Sequence, residues 1–216
     1  MKRTDLLIAG FLAVLFLFAA GGIMVFWLQS NAYANLTPES PALVRKRSSD
    51  VIAGVTAKSA IELTETNAKQ WQADAVIISV SATILKFDSL EDIYNGQANW
   101  TIVYYSPAAL AVATFTGNGT NSNFLNAKKI DIVPQGIDFN SVQLDSGNAM
   151  VVAMSNGGRD LLGGEQAQRV AHLMLTQQQD SDQAEWQIVI QNETSGTHLT
   201  FRINAASGEV LEKSGL

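Results

Sequence analysis

The two histidines are the residues of this chain best suited to proton transfer, because imidazole exchanges a proton near neutral pH. They are His172 and His198, and neither belongs to an Asp-x-His or His-x-x-x-His pattern. Both fall in segments that we expect to form strands, where surface or half-buried positions are ordinary for histidine. The sequence therefore predicts no histidine-based catalysis or metal binding.

Two short clusters of carboxylates are the other residues that could do chemistry, as general acids and bases or as ligands of a calcium ion. The clusters are Asp88, Glu91 and Asp92, and Asp180, Asp182 and Glu185. Neither spacing fits an EF-hand loop. Both clusters lie between predicted strands, so solvated hairpin ends are the favoured interpretation.

Composition excludes several further classes of site. The chain has 216 residues, no cysteine and a net charge of −6. It therefore lacks a thiolate metal site and a cysteine nucleophile, and its charge argues against a nucleic-acid partner. Gly-x-Ser-x-Gly and Gly-x-x-x-x-Gly-Lys motifs do not occur. We predict no catalytic, cofactor-binding or metal-ligating residues, no cofactor, and no enzymatic activity.

An uncharged apolar segment, residues 6–28, dominates the N-terminal part of the chain. As a helix it would be roughly 34 Å long, enough to cross a bilayer core of about 30 Å. Lys2 and Arg3 precede it and favour a cytoplasmic N-terminus. We predict a signal anchor with residues 1–5 in the cytoplasm, and a single-pass membrane protein with an extracytoplasmic C-terminal domain. The alternative is a secreted protein cleaved after Ala34, within a small-x-small pattern.

The following residues suggest a tether and then one helix and several strands. Residues 29–47, with Pro38 and Pro41, read as a linker. Apolar spacing predicts a helix over 48–71, capped by a residue of 48–50. Alternation predicts strands over 75–87, 100–105 and 110–116, and a short strand or connector over 128–133.

The second half repeats this order of elements. Asp145 or Ser146 is expected to cap a helix that ends near Gly157 and Gly158. Residues 168–177 fit either a helix or a strand, and the order of the first half favours a strand. Further strands are predicted over 186–191, 198–204 and 209–211.

An ungapped internal repeat relates residues 97–118 to residues 183–204. Eight of the 22 aligned positions are identical: Gln97, Ala98, Trp100, Ile102, Val103, Thr114, Phe115 and Asn118 match Gln183, Ala184, Trp186, Ile188, Val189, Thr200, Phe201 and Asn204. We single out Trp100, Trp186, Phe115 and Phe201 as candidate structural or ligand-facing residues. Core packing is the favoured interpretation, and a ligand-stacking surface is the alternative.

The C-terminal part resembles the PepSY family of extracytoplasmic modules. The segment Glu185-Trp186-Gln187-Ile188-Val189 is similar to the central strand of that family, and residues 201–211 are similar to its closing Gly-Glu-Val turn. Asn204 and Ser207 replace the usual Asp and Thr of this turn. The match covers roughly residues 145–213. The first half of the chain is related to the family only through the internal repeat. The resemblance implies binding or inhibition of partners such as peptidases, and no catalytic residues.

Together these patterns predict an α+β fold: an N-terminal transmembrane helix followed by two PepSY-like repeats, each a helix packed on an antiparallel β-meander. The predicted repeats are residues 48–134 and 135–216; whether they form one sheet or two domains stays open.

The predicted function is a membrane-anchored, extracytoplasmic, non-catalytic binding or regulatory module that acts on peptidases or other envelope proteins. Its expected partners are the membrane, through residues 6–28, and an envelope protein or peptide. The alternatives are an envelope enzyme that uses the acidic loops and a structural subunit of a membrane complex.

Overall fold

Eight antiparallel strands form one sheet in the computed structural model, which describes residues 55–85, 98–162, 169–178 and 181–215. In chain order the elements are α1 (Ala57–Trp71), β1 (Val76–Leu85), β2 (Trp100–Ser106), β3 (Ala111–Asn118), β4 (Asn121–Lys129), α2 (Ser146–Ser155), β5 (Arg169–Gln177), β6 (Ala184–Asn192), β7 (His198–Asn204) and β8 (Val210–Ser214). Two 3₁₀ helices, Phe139–Ser141 and Gly158–Leu162, flank α2.

The strands are arranged in the order β4-β3-β2-β1-β5-β6-β7-β8. β1 and β5 form the central pair, with seven antiparallel residue pairs from Ser79–Thr176 to Leu85–Val170. β4 and β8 therefore lie at the two edges of the sheet. Alternation along β3 leaves every second side chain buried, as expected for a sheet with one covered face.

Helix α1 covers β2 and β3 through a stripe of small side chains and also contacts β4, whose side chains stay largely exposed. Its buried residues are Ala57, Ala60, Ile61, Thr64 and Ala68. A Cβ atom at Gly117 would lie 3.0 Å from the carbonyl oxygen of Ala60, so glycine permits this close approach of helix and strand. The hydroxyl of Thr64 lies 2.9 Å from that of Tyr104. Burial raises the pKa of Tyr104 to about 12.

Helix α2 packs on β6 and contributes Ala149, Met150, Ala153 and Met154 to the core. The N-terminal ends of the two helices meet. Asp145 Oδ1 accepts hydrogen bonds from the main-chain N–H groups of Ser146, at 2.7 Å, and of Lys58, at 3.2 Å. Ser146 Oγ accepts one from the N–H of Ala57, at 3.1 Å.

The second α-helix and most predicted strands are confirmed, with ends shifted by a few residues. Asp145 is the N-cap of α2, and the ambiguous segment 168–177 is a strand. The predicted start of the first helix is wrong, because α1 begins at Ala57 with Thr56 as its N-cap. The predicted strand or connector over 128–133 is confirmed in part, since β4 spans Asn121–Lys129 and the residues that follow it are a connection.

The predicted fold class, a transmembrane helix followed by two PepSY-like helix-on-meander repeats, is wrong. Pairing of β1 with β5 joins all eight strands into one sheet, and the described residues contain two α-helices beside it. Pairing of this kind buries two strand edges that separate repeats would expose to solvent. Residues 6–28 lie outside the described residues. Within the described part of the chain, no helix has the length and apolar content needed to cross a membrane.

Candidate binding surface

The four aromatic residues singled out from the repeat all lie in the core. Trp100 and Trp186 are 2% and 0% exposed, and Phe115 and Phe201 are likewise buried. The indole N–H groups donate hydrogen bonds to main-chain carbonyls, from Trp100 to Val55 at 2.8 Å and from Trp186 to Leu144 at 3.0 Å. The two indole rings meet edge to face, with centroids 6.3 Å apart. These side chains leave no ring surface for a ligand.

The two histidines are not brought together by the sheet. Strand β6 lies between them: His172 on β5 pairs with Val189 of β6, and His198 on β7 pairs with Gln191 of β6. His172 Nδ1 lies 3.0 Å from the hydroxyl of Thr83 on β1. Burial lowers the pKa of His172, and the nearby charge of Glu193 acts in the opposite direction.

The acidic clusters divide between described and undescribed segments. Asp88, Glu91, Asp92 and Asp180 lie outside the described residues. Among the described side chains, no three His, Asp or Glu residues gather as a metal ion would require. Glu185, from the second cluster, is engaged in an ion pair with Arg202 at 2.9 Å.

The face of the sheet opposite the two helices is lined mainly by uncharged polar side chains. One residue of each strand, paired with the next across the middle of this face from β4 to β8, gives the series Asn123, Thr116, Thr101, Ser81, Met174, Gln187, Arg202 and Glu212. Hydroxyl and amide groups on such a face are solvated and can exchange water for a polar partner.

At the β8 edge of the sheet, the charged side chains already have partners or close neighbours in the fold. Glu212 accepts a hydrogen bond from Arg202, at 2.9 Å, and Arg202 also binds Glu185. These two carboxylates, first that of Glu212, raise the pKa of Arg202. The ammonium group of Lys213 lies over Gly157, where an added Cβ would be 2.7 Å from it. The carboxylate of Glu212 at this edge is therefore already matched by Arg202.

The β4 edge of the sheet is different, because nearly all of its nine side chains are exposed. Phe124 and Leu125 are 52% and 55% exposed, although large apolar side chains are usually buried. Phe124 packs edge to face on Phe115, with centroids 5.4 Å apart, and presents its outer side to solvent. Among the described residues, β4 pairs with β3 alone.

The direction of the main-chain groups on β4 follows from one hydrogen bond. The N–H of Ile130 donates to the carbonyl of Leu110, at 2.9 Å, so Ile130 faces β3. Successive residues of a strand direct their N–H and C=O groups to opposite edges. The N–H groups of Lys129 and Ala127 therefore point away from β3, towards the position that an additional strand would occupy.

A shallow groove of about 360 Å³ adjoins the C-terminal end of β4. Its lining residues are Ile78, Lys128, Lys129, Ile130, Asp131, Ile132 and Pro134. Because the groove is open to solvent, it suits a side chain of a macromolecular partner better than an enclosed small substrate.

The sequence does not reveal β4 as a candidate functional element. Its residues, Asn-Ser-Asn-Phe-Leu-Asn-Ala-Lys-Lys, show no alternation because both faces of the strand are exposed. The usable signal was the Gly119-Thr120 turn, which joins β3 directly to an antiparallel partner.

No family model and no curated protein matches the chain, so the resemblance to the PepSY family gains no support. Among solved structures, the chain is similar to a crystal structure of a protein named a "putative lipoprotein" from Clostridium difficile 630. The two are 16% identical with a TM-score of 0.49, over 76% of this chain and 95% of that one. Likeness of this extent says nothing about what either protein binds.

Proposed function

We propose that the chain is a non-catalytic binding module of the cell envelope that captures an extended peptide segment by strand pairing at β4. The observation that carries the proposal is the exposed nine-residue strand, which pairs through one of its two hydrogen-bonding edges among the described residues. Extended peptides commonly bind by adding a strand to such an edge. Main-chain hydrogen bonds then supply affinity, and the exposed side chains supply selectivity.

The envelope location rests on the amino-acid sequence. Residues 6–28 carry no charge, and Lys2 and Arg3 stand before them, a distribution that favours placing the remainder outside the cytoplasm.

Site-specific photo-crosslinking in the intact envelope tests the proposal. A benzophenone amino acid replaces Leu125 on β4 or, as the control, Leu211 on β8, which is 43% exposed. We expect protein adducts from position 125 and not from position 211. Equal labelling of both edges would contradict binding at β4.

A proline variant tests whether strand pairing causes those adducts. Ala127→Pro removes an N–H that points away from β3, so the fold keeps its own hydrogen bonds. We expect adducts from position 125 to be lost in this variant and kept in Ala127→Ser, which retains the N–H. Melting followed by circular dichroism should be nearly the same for both variants. Adducts that survive the proline would exclude strand pairing.

A further inference from the structure

We infer that β4 selects a partner strand with two consecutive acidic residues and, three residues beyond them, an apolar residue. This inference rests on the proposed function, because it names the partner that the same edge would bind. It starts from the charges of β4, which are Lys128 and Lys129. Among the described residues neither lysine has an ion pair, whereas Glu212 at the opposite edge of the sheet is bound by Arg202.

The two lysines project from opposite faces of the sheet. Lys129 pairs with Ala111, a buried residue on the helix-covered face, and Lys128 pairs with Val112, whose side chain is on the open face. Side chains of adjacent residues in a partner strand also alternate between faces. A single acidic residue could thus meet one lysine, and two in succession are needed to meet both.

Phe124 determines where the apolar residue of the partner strand lies. It pairs with the buried Phe115, so it lies on the same face of the sheet as Lys129. A bulge follows Phe124, because the register shifts between the pairs of Thr114 and Phe115, and one residue of β4 has no counterpart. In a partner strand, the residue opposite Phe124 is therefore four positions from the residue opposite Lys129. An even spacing places the side chains of these two partner residues on the same face of the sheet.

Read from N- to C-terminus, an antiparallel partner would carry acid-acid-x-x-apolar, and a parallel partner the reverse. A second copy of β4 does not fit, since β4 contains no acidic residue. Lysine on an edge strand also discourages pairing with neutral or basic strands. The same two side chains would thus reject wrong strands and attract an acidic one.

Binding of short labelled peptides to the full chain in detergent micelles tests this selectivity. The probe is a fluorescein-labelled octapeptide of threonine that contains Glu-Glu and, three residues after the second Glu, a valine. Matched probes replace Glu-Glu by Gln-Gln or Lys-Lys. Fluorescence polarisation should show the Glu-Glu probe binding about 2- to 30-fold more tightly than the Gln-Gln probe, the range expected for two exposed ion pairs, and the Lys-Lys probe binding most weakly.

Charge-reversed variants locate the selectivity. Lys128→Glu with Lys129→Glu should invert the order of the three probes. Lys58→Glu with Lys213→Glu changes the net charge equally and should leave the order unchanged. If both double variants behave alike, or if the wild type binds the three probes equally, the inferred selectivity is wrong while peptide capture stands. If the wild type binds none of the probes, the proposed function fails with it.

Discussion

The environment of His172 shows how one residue of the open face responds to its position in the sheet. Its ring is flanked by Thr83 on β1 and Val189 on β6, and Thr83 supplies a hydroxyl 3.0 Å from Nδ1. Partial burial disfavours the charged imidazolium and holds the pKa below its ordinary value of 6.5. Glu193 opposes this effect without reversing it.

The lowered pKa of His172 makes stability depend on pH in a defined direction. As the pH falls below about 6.5, the unfolded chain binds the proton before the folded chain does, so protonation favours unfolding. The stability that depends on a neutral His172 is therefore fully present above this pH and is lost below it. We expect His172→Gln to reduce the decrease in unfolding free energy between about pH 7.5 and pH 5, measured by urea titration.

The exposed His198 provides the matched control for this experiment. His198→Gln should retain the pH dependence of the wild type. A wild-type pH dependence in His172→Gln as well would show that groups other than this histidine cause it.

At the scale of elements, the N-terminal ends of α1 and α2 depend on the same two residues. Asp145 and Ser146 accept hydrogen bonds from the first N–H groups of both helices. The first N–H groups of a helix have no partner within it, and an aspartate there also interacts favourably with the helix dipole. Removal of this carboxylate therefore affects two elements.

We expect Asp145→Ala to lower the free energy of unfolding by about 1–2 kcal/mol, near the upper end for a single N-cap. Urea titration measures the change. Asp138→Ala is the control, because the exposed side chain of Asp138 accepts one hydrogen bond, at the start of the short helix Phe139–Ser141. Equal losses in the two variants would refute the shared role of Asp145.

Elements with a covered face were predictable from the sequence, and the exposed strand β4 was not. In β3, the buried residues Ala113 and Phe115 alternate with Val112 and Thr114, and this period reveals the strand. In β4 no period arises, since solvent reaches both faces. The candidate site lies on β4 for the same physical reason that the sequence concealed it: a surface kept available to a partner is not under pressure to be apolar on one side.

At the scale of the whole molecule, the pairing of β1 with β5 was the feature that local patterns could not supply. Ile84 and Ala171 are paired in the sheet but stand far apart in the chain, and neither strand alone specifies its neighbour. Alternation identified β1, and the order of elements in the first half favoured a strand for β5, yet both observations were equally consistent with two separate meanders. This pairing makes the two halves one continuous sheet.

This continuity yields a prediction about cooperativity. Trp100 and Trp186 come from different halves of the sheet, are both buried and touch each other with centroids 6.3 Å apart. Truncation of either to alanine should cost about 3–5 kcal/mol, a large share of the 5–15 kcal/mol typical of a domain. Because the sheet is continuous, each variant should unfold in a single transition that is shifted as a whole.

The measurement is thermal unfolding of the full chain and both tryptophan variants, followed by circular dichroism and calorimetry. Within one cooperative unit, Trp186→Ala weakens β1–β4 as well, since the indole of Trp100 loses its neighbour and the β1–β5 edge loses support from β6. Two transitions, of which only one moves in each variant, would mean that the halves unfold independently despite the shared strands. If both variants melt like the wild type, neither tryptophan contributes the expected free energy to the stability of the fold.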